Sequence, residues 1–389
     1  MIPEIDWHSI TETGSFFVYD LDAFRMHLNS MQERHEGLRL WYACKANPLS
    51  VLLKEIAEAS FSFDVASMGE LNQVLSIGVS PENILVTGPA KSEAFLEGAL
   101  MAGVRIFVIE SQIQYKTLEY LADKYGCTPQ ILLRLQLDWE DAESSFIGGN
   151  KVTPFGMDFS GAMALLPSIR LPLLGFHVFQ WGNVLDLKKL ENIWIQIASV
   201  CKGIERPFQV IDFGGGLGIP YKVDEKPLLW KDVNVTLERI KHQFSVQEVW
   251  LELGRYVTGS CGYYATRVVD RKTVRGQEIL VCAGGINHIA RPALTGQAFP
   301  CILARDSQAE WVLFNVHGPL CTALDFLGAC LLPKDIVVGD VLVFSQVGAY
   351  GFTESMPYFL CHDLPGEMVL SKGQLSVIRS SQVAFNWLK

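Results

Sequence analysis

From Leu38 to Tyr256 the chain alternates short apolar runs with stretches whose apolar residues recur at helical spacing. The runs cover 38–44, 61–66, 83–87, 105–109, 130–137, 171–179, 207–213 and 248–253. Strands that are apolar along their whole length are those covered on both faces, and parallel strands of that kind need helical crossovers. Runs so spaced predict an α/β fold built as a (β/α)8 barrel. One crossover is especially plain. Leu187, Leu190, Ile193, Trp194, Ile197, Val200 and Cys201 share one helical face, and Gly203 stands where a left-handed cap is expected.

Beyond Tyr256 the pattern becomes that of strands. Residues 263–270 and 278–282 predict a hairpin turning near Arg275 and Gly276, and 340–346 predict another strand. Residues 15–19 also read as a strand and, lying ahead of the barrel, are expected to pair with the C-terminal sheet. The expected organisation is a barrel over 25–256 and a β-domain assembled from 1–24 and 257–389.

With 389 residues the chain is long enough for two cores. Its 42 acidic residues outnumber 32 basic ones, and no basic stretch is interleaved with aromatics, which argues against nucleic acid or an anionic membrane as partner. A small molecule is the expected ligand. The start, Met1 to Asp6, lacks the basic and apolar segments of a signal peptide, and no uncharged stretch is long enough to span a bilayer. The 9 cysteines are odd in number and form no Cys-x-x-Cys pair, so reduced thiols in a cytoplasmic protein are expected, with no disulfide frame and no metal.

Candidate chemistry begins with Tyr42-Ala43-Cys44-Lys45-Ala46-Asn47-Pro48, which presents an amine at the mouth of the first barrel run. Lys45 alone would read as a solvated lysine. Four further strings change that: Asp212-Phe213-Gly214-Gly215-Gly216, Glu252-Leu253-Gly254-Arg255-Tyr256, Gly318-Pro319-Leu320-Cys321 and Gly348-Ala349-Tyr350-Gly351. Lys45, Asp64, Arg134, His177, Gly214 to Gly216 and Glu252 all fall at or just past the C-terminal ends of the runs, the rim on which barrel active sites are built. Glu252 interrupts the apolar Val249-Trp250-Leu251 and Leu253, and a carboxylate within a buried strand needs a reason to be there.

As a set, these strings resemble the fold-type III pyridoxal-phosphate decarboxylases, the group containing ornithine, arginine and diaminopimelate decarboxylases, along nearly the whole chain. The resemblance implies an alanine racemase-like barrel with a C-terminal all-β domain, pyridoxal 5′-phosphate as cofactor, and removal of the α-carboxylate of an L-amino acid. It implies that Lys45 holds the cofactor covalently, that Gly214, Gly215, Gly216, Gly254, Arg255 and Tyr350 serve its phosphate, and that His177 packs over its ring. Asp64 and Arg134 match an acidic and a basic position of the site. Glu252 would face the ring nitrogen; a carboxylate there keeps that nitrogen protonated and the ring a strong electron sink. The related alanine racemases carry an arginine instead, so Glu252 points to decarboxylation. Cys321 is implied as the acid that protonates the α-carbon, acting across the interface of a homodimer with shared active sites. The chain departs from the family at Leu253, where proline is usual, and at Gln180-Trp181, where relatives commonly carry a serine that touches the phosphate.

Residue 322 bears on the substrate. Ornithine-type enzymes place an aspartate directly after the cysteine to hold a distal ammonium, and diaminopimelate enzymes a glutamate; this chain has Thr322, a neutral hydroxyl. The segments Thr153-Pro154-Phe155-Gly156-Met157 and Phe359-Leu360-Cys361-His362, with Pro365 and Glu367, are similar to a biosynthetic subgroup that includes the decarboxylases of staphyloferrin B and vibrioferrin siderophore assembly and a butirosin enzyme acting on a carrier-bound glutamyl group. The implied substrate is an amino acid with an acylated side chain, such as citryl-diaminopropionate, with Arg291 as candidate for its tail carboxylate. Two alternatives stand beside it. One is a diaminopimelate-, ornithine- or lysine-type decarboxylase using Asp325 for the distal amine; the other is a non-catalytic homologue that binds the cofactor or a partner.

Overall fold

A computed structural model of the chain describes residues 2–138 and 152–388. The chain divides into two compact units: one comprises His27–Ile219 and Lys226–Val257, the other the residues up to Met26, Pro220–Glu225 and everything from Thr258 on. Strand β1 (Phe16–Asp20) belongs to the second unit. The first unit is a closed parallel barrel of β2 (Leu38–Ala43), β3 (Ser62–Val65), β4 (Ile84–Val86), β5 (Ile106–Ile109), β6 (Gln130–Arg134), β7 (Leu173–His177), β8 (Val210–Asp212) and β9 (Glu248–Leu253), with β9 returning to β2. Each strand lies inside one of the apolar runs read from the sequence, which shows the physical reason for those runs: residues facing the barrel interior and residues facing the helices are both buried.

The interior is filled by Trp41, Leu85, Ile106, Val108, Leu132, Val210 and Trp250. The Trp41 and Trp250 rings lie 5.0 Å apart, and the Arg39 guanidinium stacks 4.2 Å from the Trp41 ring. One extra residue in β7 loosens the register between Ile131–Leu173 and Leu132–Gly175. At Gly175 the neighbouring strand comes so close that a Cβ would stand 1.8 Å from the Val210 carbonyl oxygen, so only glycine fits. The predicted amphipathic crossover is the helix Leu187–Lys202, which buries Leu190, Ile193, Trp194, Ile197 and Cys201 and is capped by Asp186. The cap expected at Gly203 differs: its φ is −73°, and its N–H donates to the Ser199 and Val200 carbonyls. The helix therefore ends by tightening its last turn rather than by a left-handed residue.

The second unit is a sheet of β14 (Phe326–Pro333), β13 (Trp311–His317), β11 (Gln277–Cys282), β10 (Gly262–Val274), β1, β16 (Gly366–Ser371) and β17 (Gln374–Arg379), with β15 (Val341–Ser345) on β10 and β12 (Cys301–Leu303) on β15. The N-terminal strand pairs as expected, antiparallel to β10 and parallel to β16. The predicted hairpin is β10–β11, turning through Arg275 and Gly276 at φ of 52° and 78°. Trp7, Val18, Tyr263, Ala265, Val341 and Val343 form a core beneath this sheet. Among the described residues no helix is long and apolar enough to cross a membrane.

Candidate active site

The C-terminal ends of the barrel strands gather the charged groups. Lys45 follows β2 in a single 3₁₀ turn between the buried Cys44 and Ala46. The Tyr42 hydroxyl anchors that turn by donating to the Asn47 carbonyl at 2.9 Å. Lys45 itself has a side chain 50% exposed, and its Nζ lies 3.3 Å from Oδ2 of Asp64 on β3. Asp64 is buried and accepts from Thr87 Oγ1 at 2.5 Å. Burial first, then the charge of Glu252, pushes its carboxyl up to about 7, against the pull of Lys45 and Thr87.

Arg134 ends β6 and pairs with Glu110, the residue after β5, at 3.3 Å. Glu110 also takes Lys91 at 3.4 Å and the Gly156 N–H at 2.9 Å. Two cations on one carboxylate hold Glu110 below its ordinary value although burial opposes them, while burial pushes Lys91 down to about 8. The Thr153–Met157 string is a strap over this group. Gln136 Nε2 donates to the Phe155 carbonyl at 2.6 Å, and the Phe155 ring lies 4.7 Å from the Arg134 guanidinium.

The β-ladder sets the remaining barrel groups side by side. Arg134 is in register with His177, and His177 with Asp212. His177 Nε2 and Glu252 Oε1 approach to 3.1 Å, but off the hydrogen-bonding direction. Both ring nitrogens of His177, Glu252 Oε1 and Asp212 Oδ2 are thus buried without a hydrogen-bond partner among the described residues. Buried polar atoms left in this way are costly unless something arrives to satisfy them. Burial raises the cost of ionising Glu252, yet His177, Lys45 and Arg134 outweigh it and hold the group at about 2.

The Gly214–Gly216 turn follows β8. Its φ angles at Gly214 and Gly216 are 64° and 114°, and a Cβ at Gly215 would meet the Glu252 carbonyl oxygen at 2.5 Å. Gly254 and Arg255 follow β9 on the same rim, Gly254 buried and Arg255 half-buried. Gln180 is buried and Trp181 packs under Lys189, whose Nζ lies 4.9 Å from its ring.

The other predicted residues lie in the β-domain. Arg291 pairs with Glu354 at 3.1 Å and lies 5.4 Å from the ring of Tyr350, which adopts φ 55°. Its Nε is buried without a hydrogen-bond partner among the described residues. Cys321 is exposed, and Thr322 Oγ1 accepts from Leu324 N–H at 3.2 Å. Asp325 is held by backbone donors. It is 2% exposed, and its oxygens accept from Ile286 N–H at 2.8 Å and Leu320 N–H at 2.7 Å, so it fastens two loops together. Sequence reasoning assigned no role to Lys91, Glu110 or Asp212. Asp212 carried the same signal as Glu252, an acid closing the apolar Val210-Ile211 and followed by Phe213.

A family profile described as "Pyridoxal-dependent decarboxylase, pyridoxal binding domain" matches residues 21–259. The chain is 27% identical to an L-glutamyl acyl-carrier-protein decarboxylase of Niallia circulans, over 95% of this chain and 91% of that protein. It is also 27% identical, over 92% of this chain and 94% of the other, to a Staphylococcus aureus decarboxylase of a 2-hydroxybutanedioate bearing an (L-alanin-3-ylcarbamoyl)methyl group. The fold matches diaminopimelate decarboxylase from Helicobacter pylori complexed with L-lysine at a TM-score of 0.86 and 23% identity, covering 97% and 96% of the two chains.

Proposed function

The chain belongs to the pyridoxal-dependent decarboxylases, and we propose that within this family it removes the α-carboxylate of an L-amino acid whose side chain is already acylated, of the citryl-diaminopropionate kind used in siderophore assembly. Pyridoxal 5′-phosphate is the cofactor, and it supplies an electron sink for the carbon that loses CO2. The barrel rim fits this group. The unpartnered Glu252 Oε1 suits a ring N–H, and the Gly214–Gly216 turn, where added Cβ atoms would meet neighbours at 2.5 to 2.9 Å, keeps the backbone bare for a phosphate. Lys45 would anchor the group through Nζ with Asp64 beside it, His177 would pack against its ring, and Gly254 and Arg255 would extend the phosphate seat. Tyr350 is assigned to the phosphate by its match to the family. Glu252 then keeps a proton at the ring nitrogen.

The substrate assignment is carried by one loop. Thr322 follows Cys321 and its hydroxyl already accepts from Leu324 N–H, while both oxygens of Asp325 are taken by backbone N–H groups. Neither offers the carboxylate that a desolvated distal ammonium needs. Arg291, with its buried Nε lacking a partner, suits a carboxylate in the substrate's tail. The N. circulans and S. aureus relatives act, by their names, on a carrier-bound glutamyl group and on an alanyl group linked through a carbamoyl. Glu354, paired with Arg291, favours the rival reading: diaminopimelate carries both an ammonium and a carboxylate in its tail. Rates of CO2 release separate the two. Citryl-diaminopropionate is expected to exceed diaminopimelate, ornithine and lysine by at least about 10²-fold in kcat/KM, and Arg291→Met to raise its KM by about tenfold. Faster release from a free diamino acid sinks the assignment.

The exposed Cys321 is proposed to act from one subunit of a homodimer on the substrate held by its partner, donating the proton that replaces CO2. Cys321→Ala is expected to yield wrongly protonated or transaminated product, and Lys45→Ala no product. Mixed and reassociated, the two variants should regain the correct amine through hybrid dimers. A mixture giving only the sum of its parts would remove the shared site.

A further inference from the structure

Three titratable groups meet at the place assigned to the ring nitrogen. His177 and Asp212 end the adjacent strands β7 and β8, Glu252 is the penultimate residue of β9, and each offers an atom within 4.8 Å of the others. His177 and Asp212 are 0% exposed and Glu252 is 8% exposed. Asp212 Oδ1 accepts from Gly214 N–H at 2.8 Å, but among the described residues its Oδ2 and the Oε1 of Glu252 are buried without hydrogen-bond partners.

Two buried carboxylates at this spacing do not both ionise, because each charge raises the cost of the other. The surroundings decide which keeps the proton. Glu252 has His177 at 3.1 Å and feels Lys45 and Arg134. Asp212 feels the charges of Glu252 and Asp64, against the Gly214 N–H that favours its anion. Burial, and after it Glu252, pushes Asp212 well above the carboxylate range.

We propose that Asp212 is a neutral acid whose Oδ2–H donates to Glu252, so that the seat of the ring nitrogen is a carboxylic acid–carboxylate pair flanked by His177 and not a lone glutamate. Asp212 is a positioning residue: it acts through Glu252, fixing that carboxylate while leaving one of its oxygens for the ring N–H. Gly214 links the two strands, donating its N–H to Asp212 and accepting from Glu252 N–H at 2.8 Å, so the phosphate turn and the nitrogen seat are built on one frame. The consequence for the cofactor rests on the Glu252 assignment made above; the proton on Asp212 does not.

Infrared difference spectra of the holoenzyme at pH 7, wild type minus Asp212→Asn, test the proton directly. The expected result is a protonated-carboxyl C=O band in the wild type that shifts in D2O and is lost in the variant. A difference spectrum without that band overturns the proposal. The second readout is cofactor retention and the pH titration of the bound cofactor's visible absorbance. Asp212→Asn keeps a donor and should hold the cofactor through dialysis with an unshifted titration, while Asp212→Leu should lose about tenfold in cofactor affinity. An asparagine variant as impaired as the leucine variant shows that an anion is required at 212 and overturns the neutral acid. If the band is present but Glu252→Gln leaves the cofactor's titration unmoved, the proton on Asp212 is supported and it is the Glu252 seat that falls.

Discussion

Lys45→Ala should lower CO2 release by at least about 10³-fold and leave the fold standing. The lysine stands on a single 3₁₀ turn at the end of β2, with half of its side chain in solvent, so its removal opens no core cavity. Its partner Asp64 is already pushed up to about 7 and takes a proton when the cation is lost, so little stability depends on the pair. What is lost is the amine proposed to anchor the cofactor. Circular dichroism and Tm near those of the wild type, with CO2 release abolished, is the expected pattern; a rate within tenfold of wild type would take Lys45 out of the reaction.

The second large effect is expected at Glu252. Glu252→Gln preserves size and one oxygen but removes the charge, and kcat should fall by about 10² to 10³-fold while the cofactor stays bound. The prediction follows from the environment. The carboxylate is buried, is held ionised by His177, Lys45 and Arg134, and among the described residues its Oε1 accepts no hydrogen bond. A group so placed holds a proton on whatever nitrogen faces it, which a neutral amide does not do. Loss of rate with unchanged KM is the expected signature, measured by CO2 release across substrate concentrations. An equal loss of cofactor from the Gln variant would show that Glu252 serves binding alone.

The barrel was legible in the sequence because its strands are covered on both faces, and unbroken apolar runs such as Leu38 to Ala43 admit few other readings. The tail was less so. Strand β14 reads Phe-Leu-Gly-Ala-Cys-Leu-Leu-Pro, apolar throughout, yet Ala329 and Leu331 face outward, so its period of two is hidden. Strand β17 is exposed along most of its length and carries no burial signal at all. Among the candidate site residues, placement at the ends of the apolar runs pointed to Lys45, Gly214 to Gly216 and Glu252. The Lys91–Glu110–Arg134 group could not be read, because pairs 19 and 24 residues apart meet only through the register of neighbouring barrel strands. The setting of Asp325 was hidden for a related reason: its carboxylate accepts from the Ile286 and Leu320 N–H groups, and a sequence does not show which backbone donors a carboxylate will meet.

The measurement that bears most directly on this account is borohydride reduction of the holoenzyme followed by peptide mapping. Among the described residues, two lysines of the barrel have the setting for a reactive amine, and their exposure differs. Lys91 is pushed down to about 8, but its side chain is 0% exposed and is held by the Gly88 carbonyl and Glu110; Lys45 is half exposed at the rim beside Asp64. The reduced pyridoxyl label is expected on the peptide carrying Lys45 and on no other. Label on Lys91, or on any lysine outside the Tyr42–Pro48 turn, would contradict it.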